Sequence, residues 1–327
     1  MKMRHLGLSL LTLVFVTGSG QSQTLFNYGK KPYKANDLDP RYQQQIFDAE
    51  HTKHKMLQKA IDDAVLSIYF KEEAKKSGKS VLEVRDSKLK STPPTDKELK
   101  DFYEKNRKKI PYPFDQIRGE LVRFVSEQKK NDIRQNILKE LKQSKKFISK
   151  ISEPKPPKID INIKGYPSQG SPSAKVVIVE FADYKCPHCK EAAEVFENIV
   201  KKYKDKIHYV FIDFPVIGDS FKIAEGAFCA GKQNKYWEFH KKAFREQGKL
   251  KTPEEVAGAI GLKSTEFKTC LDKREGREVV DQAREEGVRV GVSGTPTIFV
   301  NGYRLSHGYT EKDISTAIDK ALSGRSS

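Results

Sequence analysis

Apolar positions in the first half of the chain recur every three to four residues, whereas beyond residue 158 they gather into short β-branched runs. Two kinds of architecture are therefore joined in one polypeptide. Met56, Ala60, Ala64 and Ile68, with Leu57, Ile61 and Val65 one position on, line a face of a helix predicted from about Arg41 to Ser77, with Gly78 as its stop. A second helix opens at Thr95-Asp96-Lys97-Glu98, where hydroxyl and carboxylate can each cap the other's free backbone N–H; Pro93 and Pro94 precede it. After Pro111 and Pro113, the series Ile117, Leu121, Val125 and then Ile133, Ile137, Leu141 predicts a third, longer helix to about Lys146. The pattern offers these helices no obvious compact partner, so it predicts an all-α N-terminal module over 24–150 that acts as an extended arm or a pairing surface. The stretch Ser152-Glu153-Pro154-Lys155-Pro156-Pro157-Lys158 cannot continue a helix, because each proline lacks an N–H and restricts the residue before it. A linker and lead-in strand are expected over 151–170.

Downstream, Val176-Val177-Ile178-Val179-Glu180-Phe181 suits a buried strand and runs directly into Cys186-Pro187-His188-Cys189. Ala193, Phe196, Val200 and Tyr203 continue as a helix, and His208–Ile212 is a second strand. The stretch from about Asp219 to Glu286 is helical again and interrupts the alternation. Thr297–Val300, Asn301-Gly302 and Tyr303–Leu305 read as strand, two-residue turn and strand, and a last helix is expected from about Thr310 to Leu322. The second domain, 171–327, is thus α/β with a helical insertion at about 219–286.

Lys2 and Arg4, the apolar run Leu6–Val16 and the small residues Gly18, Ser19 and Gly20 predict a cleaved signal peptide over 1–23. An apolar run of 11 residues falls well short of a bilayer span of about 20 residues. A soluble protein exported to the periplasm is expected.

The formal charge of +17 is unevenly spread: residues 24–158 hold 32 Lys and Arg against 20 Asp and Glu, whereas residues 159–327 hold 27 against 24. Export argues against nucleic acid as the partner of the basic half. A solvated face and a contact for acidic or membrane-surface partners both remain open.

The chemistry lies in the cysteines. A Cys-x-x-Cys pair at a helix start places its first sulfur near unpaired N–H groups and the positive end of the helix dipole, which favours a thiolate there. Cys186 is the expected nucleophile, and Pro187 and His188 set how strongly its thiolate is preferred. A zinc half-site is disfavoured, because Cys229 and Cys270 have no companion His or Cys at ligand spacing. His51 and His54 lack a third ligand, so no metal is expected. Trp237-Glu238-Phe239-His240 and Phe244 are read as core of the insertion. In an oxidising compartment Cys229 and Cys270 can form a structural disulfide, the alternative being two buried thiols.

The segment "VVIVEFADYKCPHCK", the helical insertion after it and "GVSGTPTIFVNG" resemble the DsbA family of disulfide oxidoreductases. The resemblance covers Lys175 to the end. It implies a thioredoxin fold with an inserted helical domain, no cofactor, and a role in forming or rearranging disulfides in exported proteins that carry thiols. It also implies a cis Thr295–Pro296 bond facing the cysteine pair, with the Thr295 backbone free to pair with an extended substrate. Glu180 falls at the family's position for an acid buried beneath the active site that relays the proton released when Cys189 attacks; a strand-edge carboxylate is the alternative. The expected re-oxidising partner is a membrane quinone-linked oxidase of the DsbB or VKOR kind.

Residues 95–148, through "DKELKDFYEKNRKKI" and "FDQIRGELVRFVSEQKKNDIRQNILKELKQ", resemble the helical chaperone region of SurA- and parvulin-type periplasmic folding factors. A prolyl-isomerase domain commonly separates those segments in that family, and here only a short loop does. What the resemblance implies is a chaperone-like or dimerising role.

Three functions follow. A dithiol oxidase fits Pro187-His188. A homodimeric isomerase or reductase fits Thr295 before the proline and a pairing module. A holdase would rest on the N-terminal helices.

Overall fold

The computed structural model describes residues 23–107, 110–306 and 308–324; the expected signal peptide falls almost wholly outside them. The described residues form two compact units, one of 23–50 together with 154–324 and the other of 51–153. Residues 24–50, which the sequence pattern assigned to the helical module, therefore belong with the unit that carries the cysteines. They open with a hairpin of β1 (Thr24–Tyr28) and β2 (Lys31–Lys34), which the apolar pattern did not reveal.

The 51–153 unit takes in most of α1 (Pro40–Ser77), then α2 (Val81–Lys88), α3 (Asp96–Asn106) and α4 (Phe114–Gln143). Gly78 ends α1 in the left-handed region, at φ +66°. The Thr95–Glu98 capping box forms as the sequence predicts, and Ser80–Glu83 makes a second one at the start of α2. Lys129 binds Glu98 at 2.7 Å, and this contact together with the cap holds the Glu98 carboxyl down to about 2.

The α1 stripe is corrected by the structure. Met56, Leu57, Ala60, Ala64 and Ile68 are exposed and Ile61 is half-buried, whereas Val65 packs at the edge of a core that α1 builds from Leu66, Phe70 and Ala74 against Val84, Leu89 and Leu138. Partners set the buried face: the core residues of α2 and α4 meet α1 on the face that four-residue spacing from Leu66 through Phe70 to Ala74 selects. A second small core joins Leu99 and Tyr103 of α3 to Leu121 and Val125 of α4.

The other unit is built on a five-stranded sheet in the order β3-β5-β4-β6-β7. Its strands are β3 (Ser168–Gly170), β4 (Val176–Ala182), β5 (Ile207–Asp213), β6 (Thr297–Val300) and β7 (Tyr303–Arg304). Strand β4 pairs in parallel with β5 and antiparallel with β6, so it lies inside the sheet. Alternation then sorts its side chains. Val176, Ile178 and Ala182 join a core with Phe196 and Ile199 of α5 (Pro187–Tyr203) and Ile314 and Ile318 of α11 (Glu311–Leu322). Val179 and Phe181 face the other way, toward Ala283 of α10 (Arg277–Arg289). The fit to α10 is close enough that a Cβ at Gly287 would collide with the Phe214 ring.

The Asn301-Gly302 turn joins β6 to β7 with positive φ at both residues, +50° and +81°, as a two-residue hairpin demands. The Asn301 side chain also accepts from Val177 N–H at 2.8 Å, which fixes the start of β4.

Between β5 and β6 the chain inserts α6 (Ser220–Gly231), α7 (Tyr236–Arg245), α8 (Pro253–Ala259), α9 (Ser264–Asp272) and α10. Cys229 of α6 and Cys270 of α9 form a disulfide across it. Phe239, His240 and Phe244 of α7 are buried in this insertion, as expected, while Glu238 stays at the surface. Among the described residues no helix is long and apolar enough to cross a membrane.

Candidate active site

The site grows from the C-terminal end of β4. Asp183, one residue past the strand, is buried and accepts from Val216 N–H at 2.6 Å, Ile217 N–H at 2.8 Å, the Ser220 hydroxyl at 2.9 Å and Lys185 N–H at 2.7 Å. It thereby ties the turn before the cysteines to the loop after β5. The chain then starts α5 with Cys186 as N-cap and Pro187 in the first turn, a position where a missing N–H costs nothing. From the insertion, Gln247 donates through one amide nitrogen to the carbonyls of Tyr184, at 2.8 Å, and Cys186, at 3.0 Å.

Cys186 and Cys189 are unbonded to each other and both buried, while Pro187 and His188 between them are exposed. The Cys186 thiol donates to the Thr295 carbonyl at 3.3 Å. The Thr295–Pro296 bond is cis, and both residues are half-buried beside the cysteines. Cys189 has no exposed surface, and burial, reinforced by the Glu180 charge, pushes its thiol well up from its ordinary value. The helix start thus holds two unlike thiols, one bonded to the backbone of the cis-proline loop and one sealed inside.

Glu180 is interior to the sheet, which removes the strand-edge alternative. Its place on β4, in phase with Ile178 and Ala182, turns it to the same face as α5. Only 1% of its surface is exposed, and Tyr209 donates to its Oε2 at 2.5 Å. Burial raises the Glu180 carboxyl to about 8, against the opposing Tyr209 hydrogen bond. It is consequently neutral at pH 7 and able to give up a proton.

The structure brings together every candidate that the sequence placed here: Cys186, Pro187, His188, Cys189, Thr295, Pro296 and Glu180. Cys229 and Cys270 lie apart from them in the insertion. Sequence reasoning missed Asp183, Tyr209, Gln247 and Tyr309. Asp183 had a local signal, since an Asp two residues before a free N–H is an Asx-turn pattern. The other three come from remote segments and had none.

A paired thiol site at the head of α5, faced by a cis-proline loop on a thioredoxin-type sheet, defines a thiol–disulfide oxidoreductase whose catalytic half is DsbA-like. Relatives agree. The family model described as Thioredoxin matches residues 163–320. Disulfide bond formation protein D of Bacillus subtilis is 29% identical over 178 residues, which cover 50% of this chain and 80% of that protein. The Na(+)/H(+) antiporter NhaA 1 of Salinispora arenicola is 30% identical over 162 residues, 48% of this chain and 24% of the antiporter, so the likeness is confined to one part of that protein. Among solved structures, oxidised BdbD from Bacillus subtilis is 27% identical and covers 52% of this chain and 100% of its own, with a TM-score of 0.47.

Proposed function

We propose that the protein is exported and oxidises thiols of other exported proteins through Cys186 and Cys189. In the oxidised enzyme a substrate thiolate attacks the Cys186 sulfur, forming a mixed disulfide and expelling Cys189 as a thiolate. Glu180, neutral at pH 7, protonates that thiolate, which burial makes an unfavourable charge to leave in place. A second substrate thiolate then attacks the substrate sulfur of the mixed disulfide and releases Cys186. The substrate has lost two electrons to make its disulfide and the enzyme has gained them, while the two thiol protons of the substrate pass to solvent, from which Glu180 is reprotonated. A membrane quinone-linked oxidase would take them on.

The observation that carries this reading is the asymmetry of the pair. Cys186 contacts the Thr295 backbone, an edge along which an extended peptide can add, while Cys189 is sealed over a neutral carboxyl. Periplasmic export is supported by the Lys2/Arg4 and Leu6–Val16 pattern and by the Cys229–Cys270 disulfide. A Cys189→Ser variant tests the order of attack. With Cys186 first carried as its glutathione disulfide, it should accumulate a mixed disulfide with a reduced client as the client thiolate displaces glutathione, seen as a mass adduct that dithiothreitol removes. A Cys186→Ser variant should trap none, and an adduct at Cys189 in its place would contradict the assignment.

A second role for the helical module, in holding clients or pairing copies of the chain, is supported by the exposed apolar face Met56, Leu57 and Ile68. Replacing both active-site cysteines by alanine separates the two roles. Suppression of client aggregation should survive that change, while oxidation should vanish.

A further inference from the structure

His188 and Glu191 lie one turn apart at the head of α5, and a residue more than a hundred positions away meets both of them. Tyr309 precedes the N-cap of α11. That helix starts with a capping box in which Thr310 and Asp313 satisfy each other's free N–H groups. Tyr309 is at N′ and Ile314 at N4, the two positions that pack together in a hydrophobic staple, and both belong to the core shared with α5. The tyrosine is therefore anchored by its own helix start. Its hydroxyl reaches over α5, 2.7 Å from His188 Nδ1 and 2.8 Å from Glu191 Oε2.

A phenol carries a single proton, and a carboxylate only accepts. Tyr309 accordingly donates to Glu191, and only its lone pairs are left for His188. A hydrogen bond at 2.7 Å then requires a hydrogen on Nδ1. The alternative tautomer, with its lone pair on Nδ1, would set two acceptors face to face. His188 is thus held as an Nδ1–H donor, neutral or as the imidazolium. The carboxylate end of the chain lies 4.0 Å from that same nitrogen.

We infer that Tyr309 is a positioning residue for the Cys186–Cys189 reaction: it links His188 to Glu191, accepts from the ring's Nδ1–H, and so stabilises the reduced enzyme, in which the positive form of a ring two residues from Cys186 favours the thiolate. The inference rests on the oxidoreductase reading above. Its size is modest, because His188 and Glu191 are 67% and 59% exposed and water screens them.

Two variants of the full chain test it. Tyr309→Phe keeps the ring in the core and removes the hydroxyl. Glu191→Gln, at an exposed site, keeps an acceptor and removes the charge. Each is equilibrated with glutathione buffers beside the wild type, and the ¹⁵N shifts of the His188 ring are recorded. Tyr309→Phe should shift the equilibrium about threefold to tenfold toward the disulfide form, the upper figure corresponding to about 30 mV less oxidising, and should release His188 from the Nδ1–H tautomer. Glu191→Gln should shift the equilibrium in the same direction, and it decides the matter if Tyr309→Phe does not fold. Unchanged equilibrium and an unchanged tautomer in the folded variants would overturn the role of Tyr309 alone. A wild-type pair that does not exchange with glutathione at all would overturn the oxidoreductase reading and this inference together.

Discussion

Two acids that burial raises and one base that it lowers give the active-site half a definite response to pH. Burial raises Glu180 to about 8 and Asp213 to about 7. For an acid raised on folding, the stability contribution is complete below the unfolded value and is lost as pH climbs through the folded one. Between about pH 4 and 8 the wild type should therefore lose stability that Glu180→Gln retains. Thermal unfolding across that range should show the gap in Tm between variant and wild type widening with pH, and a constant gap would contradict the burial argument. His240 works in the opposite sense. Burial lowers it to about 3, so it costs stability as pH falls from about 6.5 toward 3. Glu180 was legible in the sequence through its place in a motif. Tyr209 and Gln247 were not, because each reaches its partner through tertiary packing: Tyr209 through the register that sets it opposite Ile178, Gln247 through the fold of the insertion.

At the scale of elements, local chemistry was a good guide where it was self-contained and a poor one where partners decided. The Thr95–Glu98 cap, the Asn301-Gly302 turn and the strand–cysteine–helix succession each need only neighbouring residues, and all three form. Ser80–Glu83 carried the same capping signal in a short segment, and α2 was still passed over because eight residues show too little periodicity. The α1 stripe failed for the opposite reason: several faces of a lysine-rich helix carry apolar residues, and only docking selects one. The insertion depends on a covalent tie as well. The Cys229–Cys270 link closes a loop 41 residues long, worth about 4 kcal/mol in the chain-entropy picture. Replacing both cysteines with alanine should lower unfolding stability by about that amount in denaturant titrations while leaving Cys186 reactive toward alkylating reagents. Loss of Cys186 reactivity along with stability would show that the disulfide also shapes the site.

The whole molecule joins a unit with redox chemistry to a basic helical unit with an exposed apolar face, and the direction of the chemistry is a property of the whole. An oxidase needs one disulfide to hand on; an isomerase needs to find and reopen wrong bonds, a task that pairing of copies would favour. The catalytic half was readable almost entirely from the Cys186–Cys189 motif and its flanking strands, since a short segment holds both reacting atoms. The role of the helical half was not, because a helical face names no partner. The most direct test of the central claim is to give the oxidised protein two forms of one client side by side, fully reduced and scrambled, and to follow regain of client activity. The account predicts rapid rescue of the reduced client, little rescue of the scrambled one, and loss of the effect in Cys186→Ala. Rescue of the scrambled client at a comparable rate, or rescue of the reduced client that survives Cys186→Ala, would contradict it.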